Sequence, residues 1–70
     1  PDLYEVRRVR RDGTMKWGGT FIFVGEAMAG ELVGIEPKDE DHWHVHLGVM
    51  PLGVLHERSR TVVPLFSEAV

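Results

Sequence analysis

The chain has 70 residues, no cysteine, and eight Lys and Arg against eleven Asp and Glu, a formal charge of −3. Such a length makes one domain with a thin core, burying about 60 % of the surface the unfolded chain exposes. Without cysteine, no disulfide and no cysteine-ligated zinc staples it, and 43 % hydrophobic content argues against disorder. No apolar run approaches the ~18 residues of a membrane helix, no basic-then-apolar leader opens the chain, and a pI near 5.7 offers no bulk charge for nucleic acid. The lack of cysteine fits a cytoplasmic setting, and a start on Pro1 rather than Met suggests a piece of something longer.

Gly and Pro recur every few residues and leave spans too short for ordinary helices, so the chain reads as strands and turns. Tyr4 to Arg11 is the first strand, and Thr14 to Trp17 returns beside it as a hairpin. Asp12-Gly13 supplies a two-residue type I′ turn, since glycine tolerates positive φ. Val6 and Val9 have opposite parity, which predicts a bulge or a twist in that strand. Met15 and Trp17 share one face of the return strand, Thr14 and Lys16 the other. Gly18-Gly19 is a second turn or bend, and Thr20 to Val24, rich in aromatic and β-branched residues, is the next strand. Gly25 to Gly30 has room for a single helical turn.

Leu32 to Glu36 is a strand ending at Pro37, and Lys38 to Asp41 is a charged turn. Trp43, Val45 and Leu47 alternate with His42, His44 and His46, giving one buried and one polar face. Gly48 to Pro51 is a loop, and Leu52 to Leu55 is a strand with Leu52 and Val54 facing one way. His56 to Arg60 is a polar turn and Thr61 to Val63 a closing strand. Residues 65–70 carry no convincing period and are expected to fray. The pattern predicts an all-β fold over residues 1–64: a small SH3-like barrel of five or six short strands with one short helical turn.

Net charge hides an asymmetry along the chain. From Pro1 to Thr20, Arg7, Arg8, Arg10, Arg11 and Lys16 against Asp2, Glu5 and Asp12 leave +2. From Phe21 to Asp41, six acids against Lys38 leave −5, and the rest is neutral. Arginine forks grip phosphate oxygens bidentately, and a twisted two-stranded ribbon can follow a phosphate backbone. Tyr4 and Trp17 lie near enough to stack on bases, although Trp17 on an apolar face reads first as core. The arginines have a second reading as partners of the acids in the middle of the chain.

Chemistry finds little footing. Ser59 and Ser67 lie outside any nucleophile-elbow pattern, and the Asp39-Glu40-Asp41 run reads as a solvated turn. Gly18-Gly19 lacks the Lys-Ser/Thr and helix of a phosphate loop. His42, His44 and His46 project about 6.5–7 Å apart along one strand face, with His56 or a nearby acid as a further metal ligand. Nothing in that spacing makes them converge, so the expectation is three exposed positions and no metal.

The run Val6-Arg7-Arg8-Val9-Arg10-Arg11-Asp12-Gly13-Thr14-Met15-Lys16-Trp17 resembles the start of the C-terminal domain of bacterial insertion-sequence transposases with an integrase-type DDE core. The resemblance continues from Phe21 to Glu36, where Glu26-Ala27-Met28-Ala29-Gly30-Glu31 matches a small helix-like element and Val33-Gly34-Ile35-Glu36 the strand after it. Trp43-x-Val45-x-Leu47-Gly48 and Leu52-Gly53-x-Leu55 fit the closing strands, so that it covers roughly Tyr4 to Pro64. It implies a non-catalytic all-β module, similar to the SH3-like C-terminal domains of retroviral integrases. Such a module binds double-stranded DNA with little sequence preference and helps assemble the transposase–DNA complex. The catalytic carboxylates and their divalent metal would belong to the preceding core, leaving no cofactor here. Arg7, Arg8, Arg10, Arg11 and Lys16 take the DNA-contact role by this resemblance, and about four neutralised phosphates would give log K a slope near −3.6 against log salt. The alternative is a protein–protein module docking on the catalytic core or a second protomer, which the acidic Glu36–Asp41 segment favours. Neither reading involves a membrane.

Overall fold

The computed structural model describes residues 5–65. They form β1 (Glu5–Arg8), β2 (Thr14–Trp17), β3 (Thr20–Phe23), a 3₁₀ turn (Glu26–Met28), β4 (Leu32–Pro37), β5 (His42–Leu47), β6 (Met50–His56) and β7 (Thr61–Pro64). The fold is all-β as expected, with seven strands among the described residues rather than five or six, because every segment read as a strand finds a partner. Tyr4, the expected start of the first strand, and residues 66–70 of the expected tail lie outside the described residues. Leu65 donates its N–H to the Leu52 carbonyl at 3.0 Å.

Five strands make an antiparallel sheet in the order β1-β4-β5-β6-β7, and β2 and β3 form a separate hairpin. β2 lies against β1 and β3 against β7, so the hairpin spans the two outer strands of the sheet. The core between them draws on both: Met15, Trp17 and Ile22 from the hairpin, Val33, Ile35, Val45 and Leu55 from the sheet, and Val9 from the link.

The first hairpin requires correction. β1 pairs with β4, from Glu5 opposite Ile35 to Arg8 opposite Leu32, and not with β2. The ladder is carried past the strand by Val9, whose N–H donates to the Glu31 carbonyl while its own carbonyl accepts the Gly30 N–H. With its ladder groups committed to β4, β1 leaves β2 a single loop closure, Arg10 N–H to the Thr14 carbonyl. No bulge is needed for the valines. Val9 turns inward and is buried, while Val6 lies opposite Gly34 on the outer face and is half exposed.

The turn chemistry differs too. The Gly13 N–H donates to the Arg10 carbonyl, and Gly13 sits at φ +85° while Asp12 is not at positive φ. This is a three-residue loop with a left-handed glycine, not a type I′ pair. A Cβ on Gly13 would stand 2.8 Å from the Glu26 nitrogen and 2.8 Å from the Gly25 carbonyl carbon, so the position excludes side chains sterically as well. The type I′ geometry appears one turn later: Gly18 and Gly19, at φ +57° and +82°, join Trp17 directly to its partner Thr20.

β5 and β6 shift register between Val45 and His46, so that Leu52 becomes the extra residue of a bulge. The parity of β6 changes with it. Gly53 and Leu55 are buried, and Leu52 and Val54, expected to share a face, are half-buried on either side of Gly53. Only Gly48 and Val49 form the connecting turn, because Met50 and Pro51 already pair with Leu47 and His46.

The sheet and the hairpin are tied by one carboxylate. Trp17 and Trp43 meet edge to face with centroids 4.8 Å apart. Both indole N–H groups donate to Glu57 Oε1, at 3.2 and 2.9 Å. Trp17 is therefore a core residue, as its apolar face suggests.

Candidate nucleic-acid interface

The five basic residues do not form one surface. Arg7 and Val9 share the inward parity of β1, and the half-buried Arg7 side chain is spent on partners within the protein. Its Nε donates to the Lys16 carbonyl at 3.0 Å, its Nη1 to the Val6 carbonyl at 3.1 Å, and its Nη2 to Glu5 Oε1 at 2.7 Å. The guanidinium lies 5.2 Å from the Trp17 ring centroid. It fills the seam where β1 and β2 would otherwise exchange backbone hydrogen bonds. Arg8 points the other way and donates Nη1 to the Gly30 carbonyl at 2.8 Å, anchoring the segment that enters β4.

Arg10, Arg11 and Lys16 are exposed, and among the described residues none of the three has a carboxylate partner within ion-pair distance. Arg10 lies over the face of Phe21, 4.7 Å from the ring centroid. Lys16 is the cross-strand partner of Phe21, and Thr14 that of Phe23. The outer face of the hairpin therefore carries Lys16, Phe21 and Phe23, flanked by Arg10 and by Arg11 at the loop. Phe21 and Phe23 are each more than half exposed.

These two phenylalanines are the residues sequence reasoning missed. The signal was present: with Met15 and Trp17 inward and a two-glycine turn, pairing places Ile22 inward and Phe21 and Phe23 outward. A flat cationic group held on an aromatic ring, beside a free ammonium, suits a phosphate next to a sugar or base. Asp12 sits within this loop, but its carboxylate is turned to Thr14, accepting from the hydroxyl at 2.7 Å and the N–H at 3.1 Å. Those two hydrogen bonds, with the nearby Arg10 charge, hold the Asp12 carboxyl below its ordinary range.

The acids of the middle segment do not pair with the arginines among the described residues. Glu36, Asp39 and Asp41 serve histidines and turns instead. Asp39 Oδ1 lies 2.6 Å from His42 Nδ1 and accepts the Asp41 N–H at 3.0 Å. The Asp41 N–H above all, then His42, keeps the Asp39 carboxyl below its ordinary range. Glu36 Oε1 stands 3.5 Å from His46 Nε2, while His46 Nδ1 lies 3.0 Å from the Gly48 carbonyl.

Of His42, His44 and His46, expected as three exposed positions, only His44 is exposed; His42 and His46 are half-buried. His42 meets His56, its partner across the β5–β6 ladder, with ring centroids 4.6 Å apart. Cross-strand neighbours approach more closely than residues two apart on one strand.

Among the described residues no helix is long and apolar enough to cross a membrane. No curated protein and no solved structure matches the chain significantly. The family described as IS481 family transposase, C-terminal domain, matches residues 4–62, most of the chain and every element from β1 through β6. The chain belongs to the family of IS481 transposase C-terminal domains.

Proposed function

We propose that this domain holds double-stranded DNA without strong sequence preference during transposition, through the outer face of the β2–β3 hairpin and the loop before it. It acts as a non-catalytic SH3-like module that follows an integrase-type DDE core. The catalytic carboxylates and the divalent metal belong to that core, and the domain's part is to position DNA in the bacterial cytoplasm. Arg10, Arg11 and Lys16 contact phosphates, and Phe21 supports Arg10 and packs against the sugar edge.

The observation that carries this reading is that, among the described residues, Arg10, Arg11 and Lys16 have no carboxylate within ion-pair distance and surround an exposed aromatic pair, while Glu36, Asp39 and Asp41 serve histidines and turns. Arg7 and Arg8 stand behind this set: Arg7 spends three of its five N–H donors on two carbonyls and Glu5, and Arg8, though exposed, spends one on the Gly30 carbonyl. Three phosphate contacts give log K a slope of about −2.7 against log salt. Fluorescence anisotropy with a labelled random-sequence duplex over a range of salt concentrations measures that slope. A flat dependence at low ionic strength, or no binding, overturns the reading.

A second reading draws on exposed apolar residues of that face and of β4. Half-exposed Phe21, Phe23 and Leu32 provide apolar surface for docking on the catalytic core or a second protomer. Backbone amide shifts separate the two. Duplex DNA should move Arg10 to Lys16, whereas docking should move Phe23 and Leu32 in the absence of DNA.

A further inference from the structure

At the far end of the β5–β6 ladder, Asp41, His42 and His56 each offer a ligand atom, and all three atoms lie within 4.8 Å of one another. The three side chains are half-buried. Their supports come from three directions. His42 and His56 are paired in register on adjacent strands, which fixes the backbone beneath both rings. Asp41 is pinned twice: its carbonyl accepts the Glu57 N–H at 2.8 Å, and its Oδ1 accepts the Arg58 N–H at 3.0 Å. The remaining carboxylate oxygen is left for a ligand. His42 has its Nδ1 held by Asp39 at 2.6 Å, which leaves Nε2 with the lone pair.

A carboxylate on one ring nitrogen and an open lone pair on the other is the arrangement found behind metal-ligating histidines, where the outer carboxylate sets the tautomer and raises ligand basicity. Two imidazoles and one carboxylate suit a borderline cation such as Zn²⁺. Tetrahedral bonds of about 2.0–2.2 Å need ligand atoms about 3.3–3.6 Å apart, a closure that small side-chain rotations on a fixed ladder provide.

The geometry points to a zinc site made of Asp41, His42 and His56, with Asp39 as the outer carboxylate behind His42 and a fourth position open to water or another exchangeable oxygen ligand. It departs from the His42, His44, His46 set that strand spacing alone suggests, since neither His44 nor His46 belongs to it. It also places positive charge at the end of the most acidic stretch of the chain, and is independent of the DNA-binding reading.

The test is calorimetric titration of ZnCl₂ into the untagged chain in a weakly chelating buffer at neutral pH. One saturable site per chain is expected. Asp39→Asn should weaken it about 10- to 100-fold, His56→Gln should weaken it at least tenfold, and His44→Gln should leave it unchanged. Because His56→Gln also removes a ring contact in the ladder, histidine ring ¹⁵N spectra of the parent chain give a readout without substitution. Zinc should shift the ring nitrogens of His42 and His56 and leave those of His44 in place. Absence of a saturable site overturns the proposal, as do equal losses in His44→Gln and His56→Gln, or zinc shifts centred on His44.

Discussion

Two arginine pairs stand on either side of Val9, and their fates differ. Arg7 and Arg8 lie at the end of β1, where the chain passes close to the Lys16, Val6 and Gly30 carbonyls, and those carbonyls take their donors. Arg10 and Arg11 lie in the loop, whose hydrogen bonds are closed by the backbone itself through Arg10, Gly13 and Thr14. The first pair stitches the fold with part of its donors, and among the described residues the second makes no side-chain hydrogen bond. Identical side chains two residues apart thus divide between structure and availability according to whether an unpaired carbonyl lies within reach. A charge count along the sequence weighs all four alike.

The largest way to break this contrast is at Gly13, which shapes the loop presenting the second pair. Gly13→Ala puts a side chain at φ +85° against backbone on two sides. It should cost about 3 kcal/mol, the upper range of a left-handed non-glycine, before any clash relief. In so small a domain that lowers Tm by at least ~12 °C, read by circular dichroism. A Tm within a few degrees of the parent would mean that the loop re-forms in another shape and that its presentation of Arg10 is not fixed.

An exchange of losses sharpens the contrast directly. Arg10→Ala with Arg11→Ala should reduce the salt slope of DNA binding by about 1.8 and leave stability within ~0.5 kcal/mol. Arg7→Ala with Arg8→Ala should do the reverse, costing about 1–3 kcal/mol through lost hydrogen bonds to carbonyls while keeping most of the slope. Equal effects of the two double variants on binding would erase the distinction.

The smallest effect lies with Asp12, which holds the loop from within. Its folded pKa is depressed by the Thr14 hydrogen bonds and by Arg10, so its contribution is present above the ordinary 3.8 and fades as pH falls through the lower folded value. Asp12→Asn should therefore lag the parent in urea midpoint at pH 7, and the gap should narrow as pH falls below 3.8. A gap constant across that range removes the carboxylate charge from the account.

Strand positions were legible because Gly and Pro punctuate the sequence and because His42–Leu47 alternates cleanly. Pairing was less so. Neighbours in sequence suggested β1 with β2, whereas β1 joins β4, more than twenty residues on, and local pattern carries no information about that choice. Asp12-Gly13 looked like the tight turn, but only a pair of glycines adopts two successive positive φ values here, and that pair is Gly18-Gly19. Of the candidate interface, the sequence offered Arg10, Arg11 and Lys16 only within a set of five basic residues, and setting Arg7 and Arg8 apart from them needed the hydrogen bonds. Phe21 and Phe23 needed the register. The meeting of His42 with His56 needed the ladder, since spacing along one strand draws the eye to His44 and His46 instead.

Trp17 and Trp43 are the protein's two tryptophans, and both report from one place, on Glu57. Their indoles are close enough for their excited states to couple, so the tryptophan dichroism and emission of this domain come from a single locus. That locus joins the hairpin, β5 and the turn after β6, which meet only when the hairpin has closed over the sheet. The intrinsic optical signal therefore follows tertiary closure rather than strand formation. Because neither indole belongs to the hairpin's outer face or to the histidine cluster, folding can be followed with no label in the presence of DNA or zinc.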